Sequence, residues 1–151
     1  MRRKDREVAD TAFFKDVFDK SHVLTVAFID DGRPYCVPLS FVELEGALYF
    51  HCAREGRKLD CIAEDPHVHF NAFDEIEVDS EKAIVYFRSV SGSGIASIIE
   101  DEDLKSEVLS AILKKYCGKD QMPPSKRPEN TLVVKIAVTA LTGKQHAKPA
   151  S

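Results

Sequence analysis

Arg54, Arg57 and Lys58 cluster within five residues in a chain that is otherwise acidic, with 21 Lys and Arg against 25 Asp and Glu and a formal charge of −4. They surround Glu55 and Gly56, where an apolar run ending at Cys52 gives way to helical spacing. A helix start offers unpaired backbone N–H groups and positive potential, and adjacent cations add charge-assisted hydrogen bonds. That is equipment for one terminal phosphate. The same residues would also make an ordinary solvated basic turn, and the residues alone leave both readings open.

Two further segments suit a flat ligand. Arg88-Ser-Val-Ser-Gly-Ser-Gly94 puts two glycines in a strand, which permits close approach of a ligand or of another backbone, or a bulge. Tyr35-Cys-Val-Pro-Leu-Ser-Phe41 carries Pro38 in mid-strand. Proline lacks a ladder donor, so the strand lies at an edge or is interrupted there. His67 and His69 share one strand face, but no cysteine or carboxylate pattern completes a metal site, and none is expected. His51 ends a strand beside the basic cluster and reads as a pocket-lining residue. The acidic residues of 101–116 read as a helix start and a solvated face, not a catalytic dyad. The chain has no nucleophile elbow, Walker loop or dinucleotide fingerprint, and no side chain is singled out as catalytic.

The elements that must hold these residues are short. Asp10 caps a helix to about Lys20 with Phe13, Phe14, Val17 and Phe18 on one stripe. Strands are expected at 22–29, 34–44 and 47–52, joined as a meander through Asp30-Asp31-Gly32-Arg33 and Glu45-Gly46. A helix over 55–64, with Leu59, Ile62 and Ala63 inward, ends before Pro66. Residues 67–73 alternate Val68, Phe70 and Ala72 against His67, His69 and Asn71, the pattern of a half-buried strand. Two strands follow at 82–90 and 92–100, then a helix over 101–116 with Leu104, Val108, Ile112 and Tyr116 on one face. A proline-bearing loop at 118–130, with Pro123, Pro124 and Pro128, precedes a last strand at 131–141. Residues 144–151 read as a frayed tail after a single domain over 1–143. Six or seven strands with marginal helices make a mainly β chain, a small antiparallel barrel.

At 151 residues the chain fits one domain that needs no disulfide or structural metal. The acidic balance argues against a nucleic-acid partner or an anionic membrane surface. No run approaches the roughly 18 apolar residues of a membrane span, and no signal-peptide core follows MRRKDREVAD. A cytoplasmic protein is expected, with Cys36, Cys52, Cys61 and Cys117 reduced and mostly buried. The strands around Val85, Phe87 and Val90, with the closing VVKIAV, hold more apolar surface than one small barrel readily hides, which favours a homodimer.

The opening MRRKDREV, the VPLSF strand, the run LYFHCAREGRKLDCIAEDPHV, the RSVSGSG strand and the closing VVKIAVTALTGK occur in an order that resembles the FMN-binding split-barrel superfamily. These are the flavoproteins related to pyridoxamine 5′-phosphate oxidase, and the nitroimidazole-resistance branch is the most similar. The resemblance covers nearly the whole chain. It implies a six-stranded antiparallel split β-barrel forming a homodimer with FMN at the subunit interface. Arg57 and Lys58 would hold the FMN phosphate, helped by backbone N–H groups around Glu55 and Gly56. Val37, Pro38, Leu39 and Ser40 would lie along the isoalloxazine ring, and His51 and Ala53 would line its ribityl side. Arg88 and Ser89 would approach the flavin, from this chain or its partner. The chain departs from the oxidase at Ser89, where glutamine is common, and in TLVVKIAVTALTGKQ, which lacks the oxidase's substrate-phosphate pattern. Both departures point away from pyridoxamine phosphate oxidation. At Ser40 the resistance branch often has asparagine. The implied function is an FMN-dependent oxidoreductase reducing small organic compounds, with nitroimidazole or nitroaromatic compounds as the candidate substrates. The alternative is a flavin-, deazaflavin- or haem-binding protein of the same fold with little turnover.

Overall fold

The computed structural model describes residues 3–120 and 128–149. Its strands are β1 (Glu7–Val8), β2 (Leu24–Asp30), β3 (Arg33–Leu39), β4 (Val42–Leu44), β5 (Ala47–Ala53), β6 (His67–Asp79), β7 (Ile84–Ile98) and β8 (Thr131–His146). Three helices, α1 (Thr11–Lys20), α2 (Arg57–Glu64) and α3 (Glu102–Cys117), complete it. All strand pairs are antiparallel, in the open order β3-β2-β6-β7-β8-β5-β4, with β1 added to β8. The sheet curls without closing, so β3 and β4 are its two free edges. This is the antiparallel split barrel that the sequence leads one to expect, with the strands divided differently.

The division follows from local chemistry. Asp31 and Gly32, and again Glu45 and Gly46, take positive φ at both turn positions, which suits two-residue hairpins. The run expected as one strand over 34–44 breaks at Ser40 and Phe41, and the chain passes there from one sheet edge to the other. The three strands are therefore not a meander. Pro38 sits on the edge strand β3, where its missing N–H costs no ladder bond. Conversely, the two strands expected over 82–100 are one. β7 runs through Gly92 and Gly94, with a register shift against β8 at Ser93/Gly94.

Leu24, Val26, Phe28, Phe41, Leu48, Phe50, Phe70, Val90, Val134 and Ile136 fill the barrel. The first four residues of β5, 47–50, are buried on both faces. Leu48 and Phe50 point into the barrel, while Ala47 and Tyr49 lie under Val108, Leu109 and Ile112 of α3. Asp10 caps α1 by accepting from Ala12 N–H, and Asp101 caps α3. α2 packs against β2, linking the end of β5 to the opposite edge of the sheet.

Four other expectations change. Residues 144–146 belong to β8, because Lys144 pairs with Ser89 and Gln145 with Arg88. Val90, Val133, Val134 and Ile136 are core residues, so of the apolar surplus there remain Val85, 48% exposed, exposed Ala137, and half-buried Phe87 and Val138. The cysteines are unpaired, but only Cys61 is buried; Cys36 and Cys117 are exposed. In α2 the buried pair is Cys61 and Ile62, and Ala63 faces solvent. Pro123 and Pro124 of the 118–130 loop lie outside the described residues.

Candidate functional site

Gly56 begins the site. It caps α2 at φ 142°, a conformation that side-chain-bearing residues rarely adopt, although a Cβ there would meet nothing within 4 Å. Having no side chain, it leaves the cap open. Its carbonyl accepts from Leu59 N–H at 2.8 Å and from Asp60 N–H at 3.3 Å, while no side chain caps the N–H groups of Arg57 and Lys58 at the helix start. Lys58 is half-buried beside them and makes no ion pair among the described residues. Its ammonium lies close enough to Cys52 to oppose the upward push that burial gives that thiol's pKa. An uncapped helix start with an uncommitted cation is a fit receptor for a phosphate.

Arg57 is engaged differently. Its Nε donates to Asp30 at 2.7 Å, its Nη2 forms a second, short bond to the same carboxylate, and its guanidinium lies 4.0 Å over the Tyr35 ring. The bond to Asp30 raises the Arg57 pKa further. Arg57 thus ties α2 to the β2–β3 hairpin and has only part of its fork left for an anion. Arg54 donates to the Glu129 carbonyl at 2.7 Å. Asp30 and Tyr35 are the contributors that sequence reasoning missed. Asp30 reads only as hairpin punctuation, and its pairing with Arg57 is a long-range contact that spacing does not reveal.

From this corner the outer face of β3 runs away as Pro34, Cys36 and Pro38, with Ser40 just beyond. Val37 and Leu39 have the opposite parity and pack on the core, so only their backbone is offered to this face. Pro38 begins a row that continues in register through Thr25, Asn71, Ser91 and Thr142. The next row holds Cys36, Ala27, His69, Ser93 and Ala140. Asn71 Nδ2 donates to Ser91 Oγ at 2.7 Å, and His69 Nδ1 and Ser93 Oγ are 3.1 Å apart. The result is a five-strand face of small, hydroxyl-bearing side chains.

Ser89 lies on this face opposite Phe73, but three strands from β3, about 14 Å at ordinary strand spacing. Arg88 points the other way. It is 9% exposed and donates to Asp74 (Nε, 3.0 Å) and Asp16 (Nη1, 2.6 Å), with Glu75 also within 3.2 Å. These carboxylates raise its pKa and hold that of Asp16 below the usual range. Arg88 and Ser89 therefore do not act on one ligand from one side. His51 and Ala53 are exposed on β5, beyond β8, and Glu55 lies exposed before the Gly56 cap. His67 is exposed with its Nδ1 donating to Asp65 at 2.7 Å. Two open clefts of about 420 and 430 Å³ are also present, one around Tyr86, Arg88 and His146 and one around His22 and Phe73, at the end of this face.

A family model described as pyridoxamine 5′-phosphate oxidase matches residues 11–145. No curated protein matches the sequence. Among solved structures, one provisionally described as a 5-nitroimidazole antibiotic resistance protein from Bacteroides thetaiotaomicron is 22% identical, with 92% of this chain and 86% of that chain covered at a TM-score of 0.81. A flavocytochrome from Azotobacter vinelandii is 21% identical, with 99% and 73% covered and a TM-score of 0.81. An FAD- and haem-binding protein from Mycobacterium smegmatis is 20% identical, with 97% and 76% covered and a TM-score of 0.80. At these identities the likenesses show a shared fold, and they agree with the resemblance read from the sequence.

Proposed function

The chain belongs to the pyridoxamine 5′-phosphate oxidase family, and on that premise we propose that it is an FMN-binding oxidoreductase that works as a homodimer in the cytoplasm and reduces small organic compounds, nitro compounds among them. The observation that carries this is the start of α2. Its uncapped N–H groups, and Lys58, which makes no ion pair among the described residues, stand beside the edge strand β3. The phosphate would rest on the Arg57 and Lys58 N–H groups and the Lys58 ammonium. The ring system would extend along Pro38 toward Ser40. Three to five residues of strand separate Tyr35 from those positions, about 10–17 Å, a span suited to a ribityl chain and one ring. Bound flavin supplies hydride and electron transfer between a reduced nicotinamide, or another cellular donor, and the acceptor. The chain's own residues then anchor and orient it. Pro38 offers an apolar surface without an N–H, and Ser40 a hydroxyl at the ring end.

The five-strand face also supports the homodimer. Its small side chains allow close approach, and Ile29 on it is 36% exposed. A stable pairing buries about 1,200–2,000 Å² in total.

The test is the visible spectrum of purified protein, with the released chromophore identified by chromatography and the mass measured by sedimentation. FMN, twice the chain mass, and reoxidation of the reduced protein by a nitroaromatic are expected. Failure to retain or take up any flavin overturns the reading. A haem or deazaflavin spectrum would favour the second reading, a binding protein with little turnover. A neighbour described as FAD- and haem-binding, another described as a flavocytochrome, and the exposed imidazoles of His51, His67 and His69 lend that reading its support.

A further inference from the structure

We propose that the cleft between the start of β2 and the end of β6 is the acceptor site, and that it takes a flat, uncharged aromatic molecule; this rests on the flavin reading above. The cleft has a volume of about 430 Å³ and is lined by Lys20, His22, Val23, Phe73, Asp74 and Glu75. That volume is in the range of small-molecule sites. Its position is set by register. Phe73 pairs with Ser89, and Val23 precedes Leu24, which pairs with Leu39 on one side and Ala72 on the other. The cleft therefore opens on the same sheet face as Pro38 and Ser40, between them and Ser89, where the ring end of the flavin would lie.

Its walls suit an aromatic guest. Phe73 is 45% exposed and Val23 41%, two large apolar side chains left side by side on a face otherwise made of small polar residues. The backbone that carries Phe73 is held in place, because the buried Ser21 hydroxyl donates to its carbonyl at 3.0 Å. Just past Phe73 the strand bulges between Asp74 and Glu77, with Glu75 at φ 50°, and this turns the chain around the cleft. An exposed ring on an anchored strand beside a recess is a stacking platform.

The charges of the cleft are already spent. Lys20 Nζ is 3.0 Å from Asp16 and 3.9 Å from Glu75, and Asp74 is taken by Arg88. Together Lys20 and Arg88 face Asp16, Asp74 and Glu75, an excess of one carboxylate. An anionic guest would find no open cation and a slight repulsion. His22, exposed at the lip, has its carbonyl held by the Tyr116 hydroxyl at 2.8 Å and can hydrogen-bond an oxygen substituent of the guest.

Binding of 4-nitrobenzyl alcohol and of anionic 4-nitrobenzoate, followed by amide chemical shifts of the whole protein with and without FMN, tests this directly. The neutral probe should shift resonances of residues 20–23 and 73–75 and bind at least tenfold more tightly than the benzoate. Phe73→Ala should weaken it at least tenfold and raise its KM by a similar factor, with FMN affinity unchanged. Phe73→Leu should fall between. Shifts confined to other regions, or wild-type affinity in Phe73→Ala, overturn the proposal. So does a change of sedimentation mass in Phe73→Ala, which would make the cleft a subunit contact. If wild-type protein binds no flavin, the preceding reading fails, while the flavin-free titration still decides whether the cleft takes the aromatic probe.

Discussion

Asp30, the last residue of β2, accepts the Nε of Arg57, the first residue of α2, at 2.7 Å, and so fastens the helix start to the hairpin that leads into β3. The carboxylate also stands close to where a phosphate would sit and occupies the cation that would otherwise help hold it. Asp30→Asn should release Arg57 and remove a repelling charge. FMN should then bind several-fold more tightly, while riboflavin, which has no phosphate, is unaffected. Flavin fluorescence titration measures both, and unchanged FMN affinity would remove Arg57 from the phosphate site.

Lys58 is the stronger anchor because nothing in the described chain competes for it. Its loss removes one charge-assisted contact, worth about 1.5–3 kcal/mol, so Lys58→Ala should weaken FMN roughly 10- to 150-fold. Arg57→Ala should weaken it less. Equal and small effects in both variants would mean that the phosphate lies elsewhere.

What could be read beforehand follows the range of the interaction. Asp10, the two-residue turns and the alternation of 67–73 are local signals, and each elements' position matches them. That alternation also sets Phe73 on the outward face with His67, His69 and Asn71, the available hint that an aromatic ring was left exposed there. The break at Ser40–Phe41 was not legible. Phe41 N–H donates to the Tyr116 hydroxyl at 3.0 Å, a residue 75 positions later, and Phe41 itself is fully buried against Phe18. Tertiary contacts split that strand, whatever its apolar content. The glycines at 92 and 94 misled for the converse reason, since they serve packing within one strand and not an interruption between two. The orientation of Arg88 follows from strand parity with Val90, but its three carboxylate neighbours come from α1 and the β6 bulge and have no sequence signature.

That carboxylate cluster gives a stability prediction. The Asp74 side chain is 8% exposed, and Arg88 is its partner. Arg88→Met strands a buried carboxylate and should cost about 3–5 kcal/mol in urea unfolding. Arg88→Met combined with Asp74→Leu should recover most of that loss, because a well-packed apolar pair carries no desolvation cost. If the double variant is no better than the single, the cluster matters through Asp16 and α1 instead.

Gly92 should tolerate no side chain. A Cβ there would stand 2.6 Å from the Phe70 ring and 2.8 Å from Leu141, and would press on the Ala140 carbonyl oxygen. The carbonyl belongs to the paired strand and cannot rotate away. Gly92→Ala should therefore cost about 1–3 kcal/mol through overpacking. Ser91→Ala, one residue away on the open face, should cost well under half of that. Comparable losses at both positions would show that strand propensity, not the close approach of β8, dictates the glycine.

Lys115 on α3 predicts an alkaline rise in stability. Its ammonium donates to the Phe18 carbonyl at 2.8 Å and lies 3.8 Å from the centre of the Phe41 ring, a site where burial lowers its pKa to about 8 from an ordinary 10.5. Below about pH 8 both folded and unfolded chains carry the proton, and the folded state bears the whole cost of burying the charge. Between about 8 and 10.5 the folded chain gives up the proton first, the unfolded chain binds more protons, and stability increases with pH. Above 10.5 both are neutral and the gain is complete. Partial solvent access screens the effect, so the gain should be about 1–2 kcal/mol, less than the full shift would give. Lys115→Met has no charge to bury and should lack this component. The measurement is urea unfolding of both proteins at pH 7 and pH 10. The wild-type stability should climb relative to the variant by that amount, and a constant difference would mean that the ammonium is fully hydrated where it sits.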